Sequence, residues 1–365
     1  MTYPSGIIEI PALVDVHVHL REPGYSYKET IRTGTLAARQ AGYSDICTMP
    51  NLNPAPDSLS NLQVQLDIIE RDAAIRVHPY ACITKGQKGE GELVDMEALA
   101  PHVVGFSDDG RGIQSAELMR EAMVRCRAVD SILVEHCEVN ELLRGGYIHD
   151  GRYAREHGHR GICSESEWRE VDRNVNLAAD TGCRLHICHV STRESVDIVR
   201  QAKKGGLPVS CETAPHYLIL TEDNLREDGC WKMNPPLRSQ ADKEALLEGL
   251  CDGTIECIAT DHAPHAAEEK NRGLEHSAFG IVGIETALPL LYTYVVRTGL
   301  VDWQTVIDAM TVNPRRIMRL KDYGETIRVD LDAHYTISPE QFISLGHSTP
   351  FAGWEVYGRI SPTTP

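Results

Sequence analysis

The chain has 365 residues, 42% hydrophobic and 24% charged, so it can bury a large core and has the composition of a soluble globular protein. Its net charge of −17, with 36 basic residues scattered along the sequence, argues against nucleic acid or an anionic membrane as a partner. No apolar run approaches membrane-spanning length, and residues 1–6 lack the features of a signal peptide, so we expect a cytoplasmic protein.

Strand-like and helix-like segments alternate along most of the sequence. The predicted strands are residues 13–20, 45–50, 76–84, 103–108, 132–137, 184–190, 208–213 and 257–260. The predicted helices, which are amphipathic, are residues 28–41, 61–71, 117–129, 167–181, 195–204 and 242–251. Strands that alternate with helices predict a parallel sheet, and eight such units predict a TIM (β/α)8 barrel.

The remaining segments are irregular or form short β-like pieces. Residues 138–165 read as a long insertion whose histidines we expect to be solvated. The stretch from Arg328 to Ile360 predicts a small β appendage outside the barrel, reduced because only eleven residues precede Ala12. We therefore expect the barrel over residues 7–325 and a β-rich extension over residues 326–365. The eleven cysteines form no CxxC pair, which predicts free and mostly buried thiols.

The first predicted strand contains the sequence Asp-Val-His-Val-His-Leu-Arg, residues 15–21. Side chains alternate along a strand, so His17 and His19 are expected to point the same way, and two imidazoles on one face can hold a divalent ion. Taken alone, such a pair more often belongs to an ordinary half-buried strand. The rest of the chain decides between the two interpretations.

Ligand-type residues recur where the predicted strands end. These residues are His17, His19, Asn51, Asp109, His136, His189 and Asp261. In TIM barrels the carboxyl ends of the strands meet at the face that carries the active site. Two positions have competitors: Asp108 could replace Asp109, and His186 has the strand parity of a core residue.

The residue types at these strand ends suit zinc. Four histidines and two carboxylates match the preferences of this ion, and a bridging carboxylate can hold two zinc ions about 3.5–4 Å apart. Two such ions would make hydroxide available near neutral pH. Asp261, beside that hydroxide, is then placed to act as general base and later as general acid.

Several motifs together resemble one family. They are HLREPG at 19–24, MPN at 49–51, GFSDDGR at 105–111, EHCE at 135–138, HICHVST at 186–192, ETAPH at 212–216, NPPLR at 234–238 and TDHAPH at 260–265. In this order, and over nearly the whole chain, they resemble dihydroorotases of the bacterial, aspartate-bridged (class I) type in the amidohydrolase superfamily.

The resemblance implies reversible cyclisation of N-carbamoyl-L-aspartate to L-dihydroorotate, a step of pyrimidine biosynthesis, through a zinc-bound hydroxide. It implies one zinc ion on His17, His19 and Asp261, a second on His136 and His189, and Asp109 as the bridge. It further implies a set of substrate-binding residues, namely His19, Arg21, Asn51, Asn234, His265, Phe279 and Gly280. Arg21 suits a carboxylate because its planar fork can bind one with two hydrogen bonds.

Two other functions stay open at this point. One is another cyclic amidohydrolase, such as a hydantoinase, dihydropyrimidinase or allantoinase, although those relatives generally use a lysine bridge and residues 103–109 contain no lysine. The other is a non-catalytic dihydroorotase-like subunit of aspartate transcarbamoylase. A homodimer and an association with aspartate transcarbamoylase are the partner hypotheses. Residues 266–278 form a polar segment that is either a closing flap or an ordinary exposed connection.

Overall fold

Eight parallel strands form a nearly closed barrel in the computed structural model, which describes residues 3–362. In chain order the barrel strands are Leu13–Val18, Tyr43–Thr48, Arg76–Ala81, Gly105–Phe106, Ile132–Glu135, Arg184–Ile187, Val209–Thr213 and Cys257–Ile258. Their order around the barrel follows the chain. Between the first and last strands, the His19 amide donates a hydrogen bond to the His262 carbonyl at 2.8 Å. The predicted barrel is confirmed.

Helices lie between and after these strands. The α-helices are Ile31–Gln40, Leu59–Asp72, Met96–Leu99, Ala116–Ala128, Arg152–His157, Glu165–Thr181, Arg193–Lys204, Pro215–Ile219, Gln240–Cys251, Ala267–Lys270, Gly273–His276, Ala287–Leu291, Trp303–Met310 and Val312–Met318. Short 3-10 turns are Ala100–His102, Asn140–Leu142, Glu222–Asn224, Gly229–Trp231 and Pro339–Gln341, and Tyr292–Val296 is a π-helical turn. All six predicted helices are present. Among the described helices, none combines the length and apolarity needed to cross a bilayer.

Side-chain caps explain where several of the barrel helices begin. Thr30, Ser58, Ser115, Thr192 and Ser239 each accept a hydrogen bond from the backbone amide three residues later. Such a cap satisfies one of the amides that have no partner at a helix start, and its removal typically costs about 1 kcal/mol. The turns that follow the strands therefore contain the signals that start the helices.

The interior of the barrel is apolar, and a helix closes one end of it. The interior residues from the strands and their ends are Val14, Val16, Cys47, Met49, Tyr80, Ile132, Val134, Cys188, Cys257 and Ala259. Ile317 and Met318 of the helix Val312–Met318 pack against this group. The Arg184 side chain at the start of the sixth strand donates to the Ile317 carbonyl, which places the helix at the amino-terminal end. The helix Val312–Met318 therefore covers the amino-terminal end of the barrel.

A small antiparallel sheet lies outside the barrel. Its strands are Ile7–Pro11, Thr326–Thr336 and Glu355–Pro362, with Thr326–Thr336 in the middle. The sheet thus combines the two ends of the described chain, as expected for a β appendage. The domain limits at residues 7–325 and 326–365 stay a prediction.

The insertion at residues 138–165 departs in part from expectation. It contains the short paired strands Ile148–His149 and Gly161–Ile162 and the helix Arg152–His157. His157 is exposed, but His149 is buried, with its Nδ1 atom 3.2 Å from Arg238 Nη1. The expectation that all its histidines are solvated was therefore wrong for His149. Pairing of the two short strands buries His149, and the sequence pattern did not show this pairing. All eleven cysteines are free, and eight of them are buried.

An ion-pair network surrounds Asp45 in the second barrel strand. The carboxylate, 1% exposed, accepts hydrogen bonds from Arg76 at 2.8 and 3.0 Å, from His78 at 2.9 Å and from Ser44 at 2.9 Å. Arg315, from the closing helix, lies 2.8 Å away. Burial alone would raise the pKa of Asp45, but His78, Arg76 and the other partners hold it well below its usual range. Asp45 thus ties the closing helix to the second and third strands.

We predict that Asp45→Asn destabilises the fold without altering the site. The loss should be about 2–4 kcal/mol, below the value for a fully buried pair because Arg76 and His78 are partly exposed. A carboxyl group whose pKa is depressed by folding stabilises the protein above its unfolded pKa, so the difference should shrink as the pH falls through about 4 and below. Urea unfolding checks this, with the exposed Asp130→Asn as a control that should change little. Equal stability of both variants would contradict it.

Candidate metal centre and active site

Six buried side chains that the sequence predicts as metal ligands converge at the carboxyl-terminal end of the barrel. They are His17, His19, Asp109, His136, His189 and Asp261, each no more than 7% exposed. They come from the ends of the first, fourth, fifth, sixth and eighth strands. The barrel therefore brings together every residue of the predicted set.

His17, His19 and Asp261 form one group. The Asp261 Oδ1 atom lies 3.1 Å from His19 Nε2 and 3.5 Å from His17 Nε2. The three ligand atoms lie within 4.8 Å of one another, a spacing that one metal ion can span. This trio matches the set expected for the first ion.

His136 and His189 form a second group beside Asp109. Their facing nitrogens, Nδ1 of His136 and Nε2 of His189, are 2.9 Å apart, and each is 3.7 Å from Asp109 Oδ1. Asp109 also lies 3.5 Å from His17 Nε2 and 3.6 Å from His19 Nε2. Its carboxylate thus stands between the two groups, where a bridging ligand belongs.

The hydrogen bonding and charge of this cluster suit bound cations. His17 Nε2 and Asp109 Oδ1 are buried and have no hydrogen-bond partner. Burial alone would lower the pKa of His17, but Glu212, Asp109 and Asp261 together raise it to about 10. Three carboxylates around one imidazole thus favour positive charge there, and buried carboxylates are stable only when paired or bound to metal. The residues therefore fit a divalent metal centre.

Asp108, the competitor of Asp109, has a structural role. It accepts hydrogen bonds from the Ile83 amide at 2.8 Å and from the Thr84 amide and hydroxyl. These bonds fix the loop after the third strand. Asp108 is thereby turned away from the histidines that surround Asp109.

Glu212, at the end of the seventh strand, has a role that the sequence pattern did not predict. It accepts hydrogen bonds from His17 Nδ1 at 2.7 Å and from His186 Nε2 at 3.1 Å. Burial alone would raise the pKa of Glu212, but His17 and His186 hold it well below its usual range. The bond to Nδ1 leaves His17 Nε2 free to bind a metal, an arrangement typical of metal-ligating histidines. His186 is a core residue, as its strand parity indicated.

Arg21 and His265 form a cationic and polar pair next to the metal centre. Arg21 Nη2 lies 3.3 Å from His265 Nε2, and Arg21 Nε donates to the Pro264 carbonyl at 3.1 Å. His265 Nε2 also donates to the Phe279 carbonyl at 2.8 Å. Burial lowers the pKa of Arg21, while the nearby carboxylates of Asp261 and Asp109 oppose this effect. Three of the predicted substrate-binding residues are therefore in one place.

The two predicted asparagines lie beside the metal centre. Asn51 Nδ2 donates to the Asp109 carbonyl at 2.8 Å, and Asn234 Nδ2 donates to Glu138 Oε1 at 2.9 Å. The Oδ1 atoms of both asparagines are buried without a partner. Gly280 has a φ of +124°, and a Cβ atom there would come within 2.8 Å of Ala263, so this close approach requires glycine.

Glu212, Glu138 and Lys28 are the site residues that sequence reasoning did not assign. Lys28 Nζ lies 3.3 Å from His265 Nδ1 and 2.9 Å from Glu269 Oε1. A signal for Glu212 was present, because a carboxylate in a buried strand needs a partner. The separation of 195 residues between Glu212 and His17 hides that partner from local patterns.

Comparison of the sequence with known proteins identifies the family of this chain. A family model described as "Dihydro-orotase-like" matches residues 6–195. A dihydroorotase of Geobacillus thermodenitrificans is 49% identical over 363 residues, which cover 97% of this chain and 85% of the relative. A Staphylococcus aureus dihydroorotase is 48% identical over 366 residues, which cover 97% of this chain and 86% of the relative. The chain belongs to the dihydroorotase family.

Solved structures with the same fold include more distant amidohydrolases. An L-hydantoinase (dihydropyrimidinase) from Arthrobacter aurescens superposes with a TM-score of 0.86 at 23% identity, over 96% of this chain and 82% of that one. A dihydropyrimidinase from Brevibacillus agri gives a TM-score of 0.83 at 20% identity, over 97% and 83% of the two chains. At these identities the likeness shows the fold alone, and the dihydroorotase relatives decide the family.

We predict that Asp109→Asn releases metal and lowers turnover by about a hundredfold or more, because the shared position loses its charge. Asp108→Asn should instead keep its metal and lose thermal stability, since it removes hydrogen bonds within a loop. Metal analysis of dialysed protein, activity assays and thermal unfolding distinguish the two variants. A reversed pattern would mean that the bridging position is assigned one residue out of register.

Proposed function

We propose that the chain catalyses the reversible cyclisation of N-carbamoyl-L-aspartate to L-dihydroorotate. The observation that supports this proposal best is the position of Arg21 and His265, in contact with each other and beside the six-ligand cluster. A metal centre alone suits any cyclic amide, whereas a partly buried guanidinium beside it suits a ring that carries a carboxylate. The full set of ligand residues also favours an enzyme over a non-catalytic subunit.

The metal in this proposal is zinc, with two ions per chain. His17, His19 and Asp261 would hold one ion, His136 and His189 the other, and Asp109 would bridge them. Bound zinc would supply Lewis acidity and a water of lowered pKa near neutral pH. Histidine nitrogens and carboxylate oxygens are suitable zinc ligands, which supports this choice over magnesium or calcium.

Asp261 is proposed to move the proton. In hydrolysis it would accept a proton from the attacking water and deliver it to the ring nitrogen that leaves when the amide bond breaks. Ring closure would use the same carboxyl group in the opposite order. The Asp261 Oδ1 atom lies 3.1 Å from His19 Nε2, among the proposed ligand atoms, which supports a position beside the metal-bound water.

The remaining residues would bind the substrate. Arg21, Asn51 and His265 would bind the substrate carboxylate, while Asn234 and the backbone of Phe279 and Gly280 would hold the ring. The unpartnered Oδ1 atom of Asn234 supports its assignment to the ring, because a buried amide oxygen normally accepts a hydrogen bond and a ring N–H can donate one. Asn51 would bind the carboxylate through its Nδ2 donor.

A cytoplasmic location, a homodimer and an association with aspartate transcarbamoylase remain predictions from the sequence.

We predict that Arg21→Met raises KM for dihydroorotate and lowers kcat/KM, because the substrate carboxylate loses its charged partner. The fall in kcat/KM should correspond to a loss of about 2–4 kcal/mol of transition-state stabilisation. The unmutated enzyme should strongly prefer dihydroorotate to the neutral ring dihydrouracil, and the variant should lose most of that preference. Steady-state kinetics on both rings provide the test. Equal turnover of the two rings by the unmutated enzyme would favour a hydantoinase-type activity instead.

Asp261→Ala is expected to abolish both directions of the reaction, with a loss in kcat of about a hundredfold or more, because the proton has no carrier. The variant should still bind zinc through the remaining ligands, and metal analysis would check this. Substantial turnover by the variant would move the general base elsewhere, with His265 as the next candidate.

A further inference from the structure

A buried lysine that has no role in the proposed mechanism lies in the segment 266–278. Lys270, at the end of the helix Ala267–Lys270, is only 3% exposed. Its Nζ atom donates hydrogen bonds to three backbone carbonyls: Lys232 at 3.1 Å, Ala278 at 2.8 Å and Gly280 at 2.6 Å. An ammonium group has three donors, so these three bonds use all of them.

The three carbonyls belong to two segments that face the active site. Lys232 lies two residues before Asn234, while Ala278 and Gly280 stand on either side of Phe279. The Gly280 amide also donates to the Lys232 carbonyl at 3.0 Å, so the two segments are in direct contact. Lys270 thus holds both segments in place through their backbone carbonyls.

The Lys232 side chain makes a second set of contacts between the same segments. Its Nζ atom donates to the Glu275 carbonyl at 2.6 Å and lies 4.4 Å from the centre of the Phe279 ring. The two lysines therefore hold residues 270–280 against the segment that precedes Asn234. This explains why the segment, although polar in sequence, is folded onto the barrel rather than extended into solvent.

A short chain of contacts links Lys270 to the carboxylate-binding pair. The Phe279 carbonyl, between the two carbonyls that Lys270 holds, accepts a hydrogen bond from His265 Nε2 at 2.8 Å. His265 in turn lies 3.3 Å from Arg21 Nη2. A shift of the backbone at Phe279 would therefore turn His265 and change its position relative to Arg21.

We propose that Lys270 is a positioning residue for substrate recognition, which orients the backbone of residues 278–280 and, through Phe279, the side chain of His265. This inference rests on the proposed function, since it concerns the same substrate site. Lys270 does not contact the reacting atoms in this proposal. Its effect reaches the substrate through the groups that bind the ring and its carboxylate.

The test compares Lys270→Met with Lys203→Met in zinc-loaded protein. Methionine keeps most of the length of lysine but leaves three carbonyls without their donor. Lys203 also donates to backbone carbonyls, those of Gly253 at 2.7 Å and Thr254 at 3.1 Å, at the opposite end of the barrel. For Lys270→Met we expect KM for dihydroorotate to rise about tenfold or more, with kcat within about threefold of the unmutated enzyme. Lys203→Met should lower thermal stability and leave KM unchanged.

A second readout separates positioning from general damage to the fold. The preference for dihydroorotate over dihydrouracil should fall in Lys270→Met, because the carboxylate-binding pair is displaced, and should be unchanged in Lys203→Met. Should Lys270→Met fail to fold, Ser277→Ala provides a milder change, since Ser277 Oγ donates to the Lys270 carbonyl at 2.6 Å. In that variant KM should rise about two- to fivefold.

Unchanged KM and unchanged preference in a folded Lys270→Met, or in Ser277→Ala where Lys270→Met cannot be obtained, would overturn the proposal. A lower yield of active protein with an unchanged KM would also contradict the proposal, because Lys270 would then have a structural role only. Failure of the proposed function would look different, because the unmutated, zinc-loaded enzyme itself would then fail to turn over dihydroorotate.

Discussion

The pairing of buried carboxylates with imidazoles at the mouth of the barrel is the constraint on which the rest of this structure depends. Asp109, Asp261 and Glu212 all lie around His17 and are buried. Buried carboxylates are costly unless they are paired, hydrogen-bonded or bound to metal. Imidazoles that bind a metal are neutral, so with the histidines in that state the three carboxylates carry negative charge that a bound cation would offset. Both the geometry and the charge of the site therefore suit a bound metal.

The surrounding fold must hold these groups in place, and it does so with unfavourable backbone conformations at several site residues. Arg21, His189 and Asp261 have φ values of +59°, +30° and +47°, in the left-handed region that residues other than glycine rarely adopt. Strain of this kind persists where the neighbouring structure fixes the backbone, and it is concentrated at functional sites. Here the neighbouring structure is the hydrogen-bonded barrel, closed below by the helix Val312–Met318. The stability of the apolar core thus offsets the backbone strain at the carboxyl-terminal end of the barrel.

The sequence was sufficient to predict the barrel and the six side chains that converge at one end of it, because both depend on local signals. Each strand is a short apolar run, and each ligand follows such a run, so the meeting point of the strand ends follows from the fold. The role of Glu212 and that of Lys270 depend on contacts between distant segments. A charge in an apolar strand shows that a partner is needed but not which residue it is. The burial of His149 was missed for the same reason, since the short strand pairing that covers it leaves no periodic pattern.

The fold alone does not determine which ring a barrel of this kind binds. Hydantoinase and dihydropyrimidinase structures share the barrel closely, with TM-scores of 0.86 and 0.83, although only 23% and 20% of residues are identical. The barrel therefore cannot by itself select a substrate, because one fold serves several activities. The residues that would recognise a carboxylate follow the barrel strands: Arg21 comes after the first strand and His265 after the eighth. Both are fixed by contacts with residues 264–280 rather than by the sheet. A barrel of this kind can thus keep its metal chemistry while the segments above it change the ring that is bound.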